Sequence, residues 1–139
     1  NELQLVNGVL NFLQNTNHNR FIGSNNIKDK IIKGLKKVGL DSFFPDDLIF
    51  SFDLVGKPKP YPDIFLKSIE TAKLNKEETI IIEDSAVGVK AGVAAGIKVI
   101  GLTAGEHWYP ERSNRELSDA GADMIVNSYE LLLKEINSL

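Results

Sequence analysis

The chain has 139 residues, 42% hydrophobic and 25% charged, enough for one domain with its own apolar core. Sixteen basic against nineteen acidic side chains leave a net charge of -3, which argues against nucleic acid or an anionic membrane as the main partner. Without cysteine, disulfides and thiolate metal sites are excluded. No apolar run approaches the ~20 residues of a membrane span and no signal peptide is visible, so a cytoplasmic location is the expectation.

Leu3, Leu5, Val6, Val9, Leu10 and Leu13 suggest an opening helix. A short strand over Arg20–Gly23 then ends at Ser24-Asn25-Asn26. Ile27, Ile31, Ile32, Leu35 and Val38 recur at helical spacing with lysines on the other face, and Gly39 stands where a helix-terminating glycine would. Leu48–Phe52 reads as the next strand. A Pro-rich loop follows, with Pro62 in the first turn of a helix running to Leu74. The β-branched run Thr79–Ile82 has the composition of a strand buried on both faces, and it ends at Glu83-Asp84.

Ser85–Ala95 is a helix of small residues, and Lys98–Leu102 is another buried strand. A helix over Glu111–Ala120, a strand over Asp123–Val126 and a helix over Tyr129–Ile136 complete the series. Strands alternating with crossovers of this length predict an α/β fold with a doubly wound parallel sheet and helices on both faces.

Ligands of open α/β sheets bind beyond the carboxyl ends of the strands. That rule selects Ser24 and Asn25, Glu83 and Asp84, and Lys59 in the loop after the second strand. A hydroxyl, an amine and an acidic pair would then meet at one edge, a set suited to an anionic substrate and a hard cation. Each also has a plainer use. Ser24 and Asn25 can cap the following helix, the lysines can be solvated, and the acids can cap the helix after their strand. Adjacent carboxylates at the end of so apolar a strand are nevertheless costly unless a positive group meets them, and a divalent ion with oxygen ligands is the natural one. The Gly88, Gly92, Gly96 spacing reads as a face that lets a helix approach the sheet closely. His107 and Trp108, in a loop after Gly105-Glu106, either border the site or, as the plainer reading has it, are loop surface; His18 has still less to mark it, and Asp46, Asp47 and Asp53 read as turn residues.

Lys59-Pro60-Tyr61-Pro62-Asp63-Ile64-Phe65 resembles the lysine motif of haloacid dehalogenase-like hydrolases, in their phosphoglycolate phosphatase and β-phosphoglucomutase branch. Ile82-Glu83-Asp84-Ser85 with Gly88, Ala91, Ala95 and Gly96 is similar to that branch's acidic motif, and Phe21-Ile22-Gly23-Ser24-Asn25-Asn26 to its serine/threonine motif. The resemblance implies a Rossmann-like core and an Mg²⁺-dependent phosphatase of small phosphomonoesters, working through an aspartyl-phosphate. It implies that Ser24 donates to a phosphoryl oxygen with the Asn25 N–H nearby, that Lys59 pairs with phosphate and nucleophile, and that Asp84 binds Mg²⁺ with Glu83 as a second ligand or acting through water. Gly56-Lys57-Pro58 competes as the lysine entry, but the spacing to Pro62-Asp63-Ile64-Phe65 favours Lys59, which is expected to turn toward Ser24 and Asp84 while Lys57 faces solvent or a local carboxylate.

The family's first motif, an apolar strand followed by Asp-x-Asp-x-Thr or Ser, does not occur in this sequence. The expectation is therefore a single incomplete core domain, with the nucleophile motif and cap elsewhere and a missing N-terminal segment or partner strand completing the sheet. In the family that strand lies between those matching Phe21–Gly23 and Thr79–Ile82. The expected partner is a small phosphorylated metabolite. A β-phosphoglucomutase-like phosphosugar mutase and a nucleophile-less phosphate-binding regulatory protein are the alternatives.

Overall fold

The computed structural model describes residues 9–16, 18–105, 108 and 112–138. Residues 3–8 of the expected opening helix, His107 and Glu111 lie outside them. The remainder of that helix is α1 (Val9–Gln14), followed by β1 (Ile22–Gly23), α2 (Lys28–Lys37), β2 (Ile49–Phe50), α3 (Phe52–Val55) and α4 (Asp63–Ala72). Then come β3 (Ile80–Glu83), α5 (Ala86–Ala94), β4 (Lys98–Leu102), α6 (Arg115–Asp119), β5 (Met124–Val126) and α7 (Tyr129–Asn137).

Among the described residues all strand pairs are parallel, and they form two pieces. β1 pairs with β2, and β3, β4 and β5 form a second sheet in that order. The fold is the α/β arrangement that the alternating pattern predicts. The expected strand over Leu48–Phe52 is shorter than its apolar run, because Phe52 already begins α3, which ends at Gly56 in the left-handed conformation. Gly39 is likewise left-handed, and the Leu40 N–H behind it bonds the Leu35 carbonyl to close α2.

Strand residues alternate between two cores, one on each face of the sheets. Phe50, Ile81 and Val99 join Ile64 and Phe65 of α4, Val89 and Ala91 of α5 and Leu117 of α6. On the opposite face, Ile49, Ile100, Leu102 and Val126 meet Phe12 and Leu13 of α1, Leu35 of α2 and Leu132 of α7. Each core draws on both sheet pieces, so the two pieces form one packed body. β3 is covered on both faces, but Ile80 and Ile82 remain partly exposed where the flanking Ile81 is buried. Among the described residues β3 hydrogen-bonds β4 alone, so its other edge has no neighbouring strand.

Candidate functional site at the carboxyl edge

The site is built on the carboxyl ends of β1 and β3 and on the loop between α3 and α4. Lys59 crosses from one sheet piece to the other. Its Nζ donates to the Gly23 carbonyl at 2.8 Å and to Glu83 Oε2 at 2.5 Å, and lies 5.2 Å from the centre of the Phe65 ring. Both members of the ion pair are about one-tenth exposed. Burial pushes the Glu83 carboxyl up from its ordinary value, while the Lys59 ammonium pulls it back. Lys59 thus turns inward beside Ser24, but its acidic partner is Glu83 rather than Asp84. Lys57 is exposed, with its Nζ 5.7 Å from the Tyr61 ring.

Glu83 fits because of α5. A Cβ on Gly88 would stand 1.9 Å from Glu83 Oε1, so only glycine leaves room for this carboxylate. One turn on, a Cβ on Gly92 would stand 2.5 Å from Val99 Cγ2. The small face of α5 therefore packs against the sheet as its spacing suggests, and it has a second task at its first turn. Ser85 caps α5, its hydroxyl accepting from the Gly88 N–H at 3.1 Å.

Asp84 is exposed at the mouth of the site. Its carbonyl accepts from the Trp108 indole N–H at 3.1 Å, and Arg112 lies 4.1 Å over that indole. Trp108, partly buried in its loop, thus borders the site and braces the backbone of the acidic motif. Burial, and secondarily the Asp84 charge, raise the Tyr129 hydroxyl above its ordinary value. The carboxylates of Asp84 and Glu83 are hard oxygen donors, of the kind that holds Mg²⁺ together with water and phosphate oxygens. Among the described residues no group of three or more His, Asp or Glu side chains is placed to enclose a cation.

Ser24 and Asn25 do not cap α2. The Ser24 hydroxyl accepts from the Asn26 N–H at 3.1 Å, and α2 begins at Lys28 with Ile27 at its N-cap and no local side-chain cap. The helix is capped from a distance, with Asp53 Oδ1 accepting from the Lys28 N–H at 3.1 Å. The neighbouring Ser51 hydroxyl and that N–H hold the Asp53 carboxyl below its usual range. Asp53 is therefore more than a turn residue. Asn25 reaches sideways, its Oδ1 accepting from the Lys59 N–H at 2.8 Å and its Nδ2 donating to the Lys59 carbonyl at 3.5 Å. Neither contact is visible in the sequence, because each joins residues about 25 or more positions apart with no motif linking them.

Residues 1–102 match the model of the haloacid dehalogenase-like hydrolase family. The chain is 40% identical over 81 residues to a bifunctional riboflavin kinase/FMN phosphatase of Arabidopsis thaliana, covering 58% of this chain and 20% of that protein. It is 28% identical over 134 residues to a phosphorylated carbohydrates phosphatase of Thermotoga maritima, covering 94% and 59%. A haloacid dehalogenase-like protein of Agrobacterium tumefaciens superposes with a TM-score of 0.88 at 32% identity, over 96% of this chain and 60% of that one. The chain thus spans three fifths or less of the length of each of these three relatives.

Proposed function

From the chain's membership of the haloacid dehalogenase-like hydrolases, shown by the family match over residues 1–102, we propose that the complete protein is an Mg²⁺-dependent phosphatase of small phosphomonoesters. The observation that carries this reading is the Lys59 ammonium, fixed between the Gly23 carbonyl beside Ser24 and the Glu83 carboxylate. One cation, one hydroxyl and two acids at the carboxyl ends of β1 and β3 are a set suited to an anion with a hard metal beside it. Phosphatase names among the relatives support the same reading.

In this proposal an aspartate of the first motif, supplied on a strand between β1 and β3, attacks phosphorus. The phosphorus–oxygen ester bond breaks, the leaving alcohol takes a proton from a second acid, and water then cleaves the aspartyl-phosphate. Ser24 accepts from Asn26, so its own O–H remains to be given to a phosphoryl oxygen. Lys59 offsets charge on the transferring group, and the Asn25 N–H lies beside it. Asp84, with Glu83 as second donor or through water, would hold Mg²⁺, which when bound supplies charge neutralisation at the phosphoryl oxygens. The substrate is a small phosphorylated metabolite, bound without nucleic acid or membrane. No described helix is long and apolar enough to cross a bilayer. A cytoplasmic location agrees with a chain that contains no cysteine.

The test is phosphate release from a panel of small phosphomonoesters by the complete protein, with and without Mg²⁺. Release that is abolished by chelator and lowered at least about a hundredfold by Asp84→Asn is expected. Isomerised phosphosugar without phosphate release would establish a mutase instead. Phosphate binding without any turnover would establish a regulatory protein.

A further inference from the structure

Within that reading, we infer that Asn25 is a positioning residue, whose side-chain amide fixes the backbone of Lys59 so that ammonium and Ser24 hydroxyl move as one unit. The amide meets both backbone groups of a single residue, as a neighbouring strand would. Oδ1 accepts from the Lys59 N–H at 2.8 Å and Nδ2 donates to the Lys59 carbonyl at 3.5 Å.

The loop chemistry explains why that contact matters. Lys59 stands between Pro58 and Pro60, which have no N–H, so it carries the only backbone donor of the three. That donor is given to Asn25. The turn itself is closed separately, by the Tyr61 N–H on the Pro58 carbonyl at 2.9 Å. Meanwhile the far end of Lys59 is held by the Gly23 carbonyl. Residues 23 and 25 therefore grip the two ends of one lysine, and Ser24 lies between them. A lysine side chain is otherwise a mobile point charge with considerable rotamer freedom. Anchored at both ends to a three-residue loop, it keeps a fixed distance from the Ser24 hydroxyl whatever the rest of the Pro-rich loop does. The Ser24 N–H in turn bonds the Phe50 carbonyl at 3.0 Å, so the unit is seated on the β1–β2 sheet.

Two variants and three readouts test this. In Asn25→Ala, amide exchange at Lys59 should accelerate about tenfold or more, while Tyr61 keeps its protection. Acetic anhydride labelling of Lys59, read by peptide mass against Lys57, should rise severalfold in the same variant. Asn25→Asp retains the acceptor for the Lys59 N–H and should restore both values toward the parent. In the complete protein, Asn25→Ala should lower kcat about tenfold with a smaller change in KM, and Asn25→Asp should recover most of it. Unchanged Lys59 exchange in Asn25→Ala overturns the inference. So does faster exchange with unchanged Lys59 labelling, since the clamp would then position nothing. Equal losses of kcat in both variants, or loss of Tyr61 protection together with Lys59, also count against it. A complete protein without any turnover sinks the phosphatase reading alone, because exchange and labelling do not depend on activity.

Discussion

Glu83 is enclosed, and the group that faces its carboxyl is the Lys59 ammonium. Burial raises the Glu83 carboxyl above its ordinary 4.5, so its contribution to stability is fully present below the unfolded value and is lost as pH rises through the folded one. Removing Lys59 takes away the pull in the other direction. Lys59→Met should therefore cost about 3–5 kcal/mol at neutral pH, as expected for an uncompensated buried charge, and less at pH 5. Adding Glu83→Gln to Lys59→Met should recover much of the loss, and urea unfolding at both pH values measures all three proteins. The sequence makes the costly acid visible, since an ionisable pair ends a run of isoleucines. It does not reveal which of the two acids turns inward, because that depends on strand register and on the space above Gly88. Gly88→Ala should destabilise by about 1–3 kcal/mol through overpacking against Glu83 Oε1, and shortening the acid in Gly88→Ala/Glu83→Asp should return part of it. Thermal unfolding of the single and double variants reads the difference.

Helices and strands were legible wherever a period ran for two turns or a β-branched run was continuous. β4 and the lysine-backed helix α2 fall where their patterns place them. Short elements were not legible: α3 has four residues, too few to show a period, and it takes over the end of the apolar run assigned to β2. The cap of α2 is not legible in the sequence for a related reason. Local candidates for its cap were present at Ser24 and Asn25, whereas the group that serves is Asp53, twenty-five residues on. Asp53→Ala should speed amide exchange at Lys28 and fray the first turn of α2 without disturbing α5, whose cap is its own Ser85. Because the Asp53 carboxyl is held below its usual range, the stability it lends is present above the unfolded value of about 3.8 and is lost as pH falls through the folded one. Lys28 exchange corrected for intrinsic rates should therefore accelerate only in acid in the parent, and at all pH values in the variant.

At the scale of the whole molecule the sheet is in two pieces, β1–β2 and β3–β4–β5, joined by two shared cores and by Lys59 rather than by a ladder between β1 and β3. The order of segments and the parallel layout could be anticipated from the alternation of patterns. A pairing of β1 with β3, which would have closed the sheet, is not present. An unpaired edge on so apolar a strand as β3 is a template for another strand. If the strand bearing the first motif belongs there, then these residues alone should release no phosphate from a small phosphomonoester. The packed body that flanks the slot is nevertheless held together by contacts other than that strand. On that reading the complete protein should be divisible into two polypeptides that reassemble. A separately supplied N-terminal piece, added to this chain, should reconstitute turnover with a saturable dependence on its concentration, and enzyme activity would become a titration of fragment complementation.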